Sequence, residues 1–304
     1  MNAADAGFTV GVADYGRDLE ALRAVREAVF VQEQQVPLDL EWDALDPQCV
    51  HVLARDADGH PVGTGRLTPE RRIGRMAVLP DWRGRGVGDA LLLALLDAAR
   101  ERHWREVALH AQATAIGFYL RHGFLPQGAR FMEAGIEHLT MRRVLDGVVA
   151  VEDRGAAVAI VVALAASARR GLWIYSRALD PGLLDASEVL EALRRFGTAG
   201  RGNEARFLLQ DAATAQRAHA ALLPLAQRLP SVFLFREVDD PVDRAYPSAF
   251  VVNDAGGWYF RGLGHRFDGE ADLHAPGRAR QLQEGFERVW ERSRPVTEYR
   301  ALGL

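Results

Sequence analysis

The spacing of apolar residues changes period repeatedly along this chain, and each change marks an element. Residues 8–13 alternate as a strand does, and residues 19–31 repeat at helical spacing. Gln34-Gln35-Val36-Pro37 ends that helix and opens an acidic loop. Residues 50–55 and 62–67 read as a hairpin about Asp56-Ala57-Asp58-Gly59, whose small polar residues suit a turn. The strand-like run 73–80 passes through Arg83-Gly84-Arg85-Gly86-Val87-Gly88 into an apolar helix over 89–100. A strand at 106–111, a helix from Ile116, and closing strands at Phe131 and 139–143 complete an α/β order over residues 6 to 145.

Residues 145–155 mix Gly, Asp and Glu, which places a boundary between domains 1–146 and 147–304. Beyond it the order restarts: helix 156–169, strand 172–176, helix 187–196, strand 205–210 and helix 213–228. Strands 232–236, 249–253 and 258–261 and helix 280–293 follow. Such alternation predicts a second α/β domain whose first strands run parallel.

Composition narrows the functional classes. A chain of 304 residues is long enough for two cores, and a net charge of −4 with neither half basic argues against a nucleic-acid or membrane-surface partner. The single cysteine, Cys49, excludes an internal disulfide framework, fits a cytoplasmic setting and reads as a packing residue. No basic-then-apolar signal opens the chain, and its longest apolar run, 156–166, is too short to span a bilayer. The absence of lysine carries no chemistry.

The glycine turn carries the most. Glycines at 84, 86 and 88 allow tight turning and leave backbone amides uncovered, and the following helix points its positive end at them: an anion cradle suited to a diphosphate. It lacks the Gly-Lys-Ser/Thr end of a P-loop, and its spacing breaks the Gly-x-Gly-x-x-Gly dinucleotide pattern. With Arg83 it reads Arg-x-x-Gly-x-Gly, and there the chain resembles the GNAT family of acetyl-CoA-dependent N-acetyltransferases. A second block supports the likeness: residues 112–124 are similar to that family's Asn-x-x-Ala-x-x-x-Tyr-x-x-x-Gly-Phe segment, with Gln112 where Asn is usual.

The resemblance implies a mixed sheet flanked by helices, acetyl-CoA as co-substrate, and direct attack of a primary amine on the thioester. It places the coenzyme arm along Met76, Ala77 and Val78, whose backbone amides would also stabilise the oxyanion. The diphosphate would go to Arg83 and the amides of Gly84, Arg85, Gly86, Val87 and Gly88, with Gln112 and Phe118 also at the coenzyme. Tyr119 matches the family's general acid. For the base, Glu133 and His138 near the closing strands are the candidates, in a segment similar to a bacterial GNAT subgroup with a Gly-Ile-x-His turn.

Four acids between Asp39 and Asp46, with Trp42 among them, suggest a cationic acceptor, against the plainer reading of a solvated loop. His51, His60, His110 and His122 lack metal spacing and read as structural or surface residues, as do His265 and His274; no metal site is expected. The second half resembles one half of a phospholipase D-like fold in element order. Where that family has His-x-Lys-x-x-x-x-Asp, this chain has Pro247, Ala249 and Asp254, which implies a domain without catalysis. The alternative to an enzyme is an acyl-CoA sensor whose second domain binds a partner, and a third reading makes that domain a dimerisation module. Tyr119 beside the glycine turn favours the enzyme, since a sensor needs only the turn.

Overall fold

The computed structural model describes residues 7–217 and 220–299. Strand β1 (Phe8–Ala13) is followed by α1 (Leu19–Arg26), which widens into a π-helical turn over Glu27–Glu33, and by the short α2 (Leu38–Glu41). Then come β2 (Val50–Asp56), β3 (Pro61–Leu67), β4 (Arg72–Val78), α3 (Val87–Glu101), β5 (Glu106–Gln112), α4 (Ile116–Arg121), β6 (Leu125–Glu133) and β7 (Ile136–Val144). The second half holds β8 (Val149–Val151), α5 (Arg154–Ser167), β9 (Gly171–Ser176), α6 (Ser187–Thr198), β10 (Glu204–Leu209), α7 (Ala212–Arg217), α8 (Leu222–Arg228) and β11 (Phe233–Glu237). It ends with α9 (Pro241–Arg244), β12 (Ala249–Asn253), β13 (Trp258–Arg261), β14 (Gly269–Asp272), α10 (Pro276–Arg292) and β15 (Arg294–Pro295). The chain forms two compact units, one running to Thr114 and including Gln127–Leu145, the other made of Ala115–Pro126 and the chain from Asp146.

The first unit carries a seven-stranded sheet in the order β1-β2-β3-β4-β5-β7-β6. Helix α3 packs on β2, β3 and β4 and buries Leu91, Leu92, Leu95 and Leu96 completely. Gly63 and Gly65 permit that approach: a Cβ would lie 2.9 Å from Leu91 at the first and 2.9 Å from Leu95 at the second. Alternation along β3 then turns Thr64 and Arg66 to the opposite face, where α1 packs. Register carries this face across the sheet. Leu67 pairs with Ile73 and Ile73 with Leu109 on the α3 side, so Arg72, Ala108, His110 and Gln112 share the α1 side with Arg66.

The second unit carries eight strands in the order β15-β11-β10-β9-β12-β13-β14-β8. Strands β9, β10 and β11 are parallel, as the alternation of elements predicts, and the pairs from β12 onward are antiparallel. Helix α5 is buried without interruption from Ala157 to Ala165, and its N-terminus is capped by Asp153, which accepts from the Ala156 amide at 2.8 Å. Helix α10 places Leu282, Phe286 and Trp290 in a core with Tyr175, Phe250 and Trp258. One expectation needs correction: the helix expected at 213–228 is divided into α7 and α8. Strand β8 pairs with β14 at the expected boundary. Helix α4 groups with the second unit, where it packs on α5.

Candidate active site

The central opening in the first sheet follows from register. Strands β4 and β5 are parallel neighbours only at Arg72↔Ala108 and Ile73↔Leu109; beyond them the ladder stops. The side of β4 that would face β5 is therefore without a strand partner from Gly74 to Val78, while the other side stays paired to β3 at Gly74, Ala77 and Val78. The β3–β4 register shifts between Thr64 and Arg66, and opposite it Arg75 has a φ of +51°, strained for a residue with a Cβ. Its side chain shows what holds it: Nη2 donates to the Leu40 carbonyl at 3.0 Å, and Nε lies 3.2 Å from a Glu41 carboxylate oxygen. Met76, Ala77 and Val78 thus form an unpaired edge that starts at an anchored bulge.

The glycine turn lies one short helical turn further on. Gly84 and Gly86 have φ values of +73° and +85°, and a Cβ at either would meet no atom within 4 Å. Glycine is needed here for backbone angle, and the space over the amides is open. Gly86 is the residue before α3, and no side chain caps that helix end, so its first amides are left for an anion. Val87 and Gly88 lie inside α3, and the Arg85 guanidinium stacks 5.0 Å from the Trp82 ring. Arg83 is engaged differently from the expectation: it forms a two-pronged ion pair with Glu33 at 2.8 and 2.5 Å and donates from Nε to the Val78 carbonyl. This pair holds the Glu33 carboxyl below the usual carboxylate range.

The α1 face holds the remaining polar residues. Gln112 donates to the Gln34 side chain at 2.9 Å. Glu133, at the end of β6 and half exposed, accepts from His110 at 2.9 Å. His138 lies opposite Gln112 on β7; its Nδ1 donates to the Ile136 carbonyl at 2.9 Å, and its ring stacks on Phe131. His110, which spacing alone reads as a surface residue, is thus part of the cluster. Tyr119 and Phe118 belong to the segment that groups with the second unit. There the Tyr119 ring meets Phe118 and Phe124 edge-on, and burial pushes its phenol up to about 12.

The acidic loop is not the open anionic surface its composition suggests. Arg26 is 1 % exposed and binds Glu41 through Nε at 2.5 Å and Asp46 through Nη1 at 3.1 Å. Arg66 binds Asp46 at 2.6 Å and Asp43 at 2.8 Å. Three of the four acids are therefore neutralised from within, and of the four only Asp39 has no ion pair among the described residues. Trp42 already has the Arg26 and Arg23 guanidinium groups 4.5 and 5.2 Å from its ring. Cys49 donates to the Leu45 carbonyl, and burial pushes its thiol up to about 11, which makes it a poor nucleophile. Asp56, Asp58 and His60 approach one another as metal ligands could, but the Asp56 carboxylate already accepts from both backbone amides of its own turn, and no site is inferred.

Comparison with known proteins separates the two halves. A family model described as an acetyltransferase (GNAT) domain matches residues 19–145, and one described as a domain of unknown function (DUF7931) matches residues 153–302. The uncharacterized N-acetyltransferase YjcF of Bacillus subtilis (strain 168) is 38% identical over 123 residues, covering 39% of this chain and 87% of YjcF. The uncharacterized protein YyaT of the same organism is 33% identical over 133 residues, covering 41% and 88%. A crystal structure of an acyl-CoA N-acyltransferase from Pseudomonas aeruginosa shares 34% identity at a TM-score of 0.40, over 45% of this chain and 98% of that one. The phospholipase D-like likeness of the second half gains nothing from the model matched there. Among the described residues no helix is long and apolar enough to cross a membrane.

Proposed function

Because the chain belongs to the GNAT family of acetyltransferases, we propose that its first 145 residues or so move an acetyl group from acetyl-CoA to a primary amine by direct attack on the thioester. Membership makes the chain an acyltransferase; the donor, the acceptor and the residue roles are our reading. What carries it is the end of the β4–β5 ladder after Ile73 and Leu109, which leaves a strand edge unpaired just before an open glycine turn.

On this reading the Met76–Val78 edge holds the amide-bearing arm of the donor by main-chain hydrogen bonds, and its amides stabilise the oxyanion. The amides from Gly84 to Gly88 take the diphosphate, favoured by the positive end of α3. Arg85 lies beside them, and Arg83 joins by exchanging Glu33 for phosphate. Gln112 and Phe118 flank the coenzyme. Tyr119, whose phenol carries its proton at neutral pH, protonates the departing thiolate. The acceptor's proton is removed on the α1 face, where Glu133 and His138 lie. The acceptor need not be a polycation, since the loop acids are engaged internally. The chain beyond residue 146 takes no part in the chemistry. Asp254, the one phospholipase-type residue kept, accepts from the Arg169 and Arg170 amides at 2.7 and 2.8 Å, a structural use.

The test is calorimetry with coenzyme A, followed by CoA release from acetyl-CoA across a panel of amines. Binding and amine-dependent release are expected. Failure to bind coenzyme A would end the reading, and binding without release for any amine would favour the sensor.

A further inference from the structure

The groups around the His110 ring determine its protonation pattern. Its Nδ1 lies 2.9 Å from a Glu133 carboxylate oxygen and its Nε2 lies 3.1 Å from Nη1 of Arg72. A guanidinium has N–H donors and no acceptor, so Nε2 must accept in that contact. The ring proton of the neutral imidazole therefore sits on Nδ1 and is donated to Glu133. A carboxylate on one nitrogen and a cation on the other fix the same tautomer. Phe131 braces the ring edge-on at 4.9 Å. His110 lies on β5 just past the last residue paired with β4, on the α1 face with Gln112.

Resting on the acetyl-transfer reading above, we propose that His110 is the general base, with Glu133 as the positioning residue that orients it rather than the group that takes the proton. Nε2 is the accepting atom. Arg72 shows the geometry such a step needs, because its cationic N–H already stands at hydrogen-bond distance from Nε2. Arg72 is exposed and has no carboxylate partner among the described residues, so an acceptor ammonium can replace it there. The charged or titratable groups facing the ring are Arg72 from β4, Glu133 from β6 and, beyond Phe131, His138 from β7; Gln112 on its own strand is neutral.

The protons balance. His110 Nε2 takes one from the ammonium, and the freed amine attacks the thioester carbon, forming the C–N bond as the C–S bond breaks. The attacking nitrogen gives up a second proton to become the amide. One of the two reaches the thiolate through Tyr119, and the other leaves for solvent from His110.

The experiment measures kcat, KM and their pH dependence for CoA release by the wild type, His110→Ala, His110→Gln and Glu133→Gln, with coenzyme A affinity confirming that each variant is folded. His110→Ala should lower kcat by roughly 100-fold or more, leave the KM for acetyl-CoA in place and abolish the fall in rate on acidification. Added imidazole should restore part of the loss. Glu133→Gln should lower kcat less than His110→Ala and leave the KM for acetyl-CoA in place. Nitrogen-15 spectra of the His110 ring, which need no turnover, should show the Nδ1–H form in the wild type. Unchanged kcat and acid fall in both His110 variants would overturn the base, as would Glu133→Gln alone abolishing the acid fall. A wild type that releases no CoA with any amine overturns the transfer reading and the base with it; a nitrogen spectrum that still shows the Nδ1–H form would then attribute that failure to the transfer reading rather than to the pair.

Discussion

Gly86→Ala perturbs one backbone angle and little else. The residue has a φ of +85° immediately before α3, and an added Cβ meets no atom within 4 Å. The whole penalty is thus conformational, about 1–2 kcal/mol for holding a residue with a Cβ in the left-handed region. Nothing over-determines that turn, because no side chain caps the helix and the surroundings are open. Relaxation out of the left-handed region is the cheaper response, and it re-aims the first amides of α3. The strain then surfaces as lost affinity: at 1.4 kcal/mol per tenfold, coenzyme A binding should weaken by roughly five- to thirty-fold. Gly59 supplies the control, with a φ of +86° and equally open surroundings in the β2–β3 turn. Gly59→Ala should lose stability in urea unfolding and keep its coenzyme A affinity. Calorimetry with coenzyme A beside urea melts of both variants reads the two quantities separately. A Gly86→Ala protein that binds coenzyme A as tightly as the wild type would refute the cradle.

Tyr119→Phe should keep coenzyme A affinity and lose most of the turnover. In the wild type, burial holds the phenol protonated up to about 12, whereas the unfolded chain ionises near the ordinary 10.0. Stability contributed by Tyr119 is therefore full below the unfolded value and lost as pH rises through the folded one, a loss that alkaline melts of the two proteins would reveal. Arg26→Met leaves Glu41 and Asp46 buried with a lost partner and should destabilise the protein by about 3–5 kcal/mol in urea unfolding; a near-neutral result would show that the carboxylates reach water. Asp254→Ala removes the acceptor of two backbone amides and should lower stability by about 1–3 kcal/mol while leaving CoA release intact; lost release with unchanged melting would give the chain beyond residue 146 a chemical role.

How much was legible depends on whether the forces are local. The strand–turn–helix from Arg72 to Glu101 was readable because its period, its glycines and its unbroken apolar helix are all local signals. The parallel start of the second sheet was readable from alternation alone. The short strands β8, β14 and β15 were not, because each is defined by its neighbours rather than by an apolar pattern. The fate of the acidic loop was hidden for a related reason: Glu41, Asp43 and Asp46 are met by Arg26 from α1, Arg66 from β3 and Arg75 from β4. His110 likewise looked isolated, since its partners lie 38 residues before it and 23 after it. Spacing rules see ligands within one element, and here sheet register brings the partners together.

Burial sorts the arginines of the first unit into two kinds, and the division bears on function. Arg26, Arg66 and Arg75 bind acids that are mostly shielded from water, and they fix shape: the α2 loop is tied to α1, to β3 and to the bulge in β4. Breaking such a pair strands a charge, so these contacts persist through any binding event. Arg83 and Arg72 are exposed. An exposed ion pair such as Arg83–Glu33 is worth about 0–1 kcal/mol, which an incoming diphosphate with more charge can readily replace. The Arg72–His110 contact is weaker still as an ionic interaction, because neutral imidazole carries no opposing charge. Both exposed cations thus hold places where substrate charge is expected, an anion beside the glycine turn and an ammonium at Nε2. The rigid pairs shape the cleft, and the exchangeable ones mark what enters it.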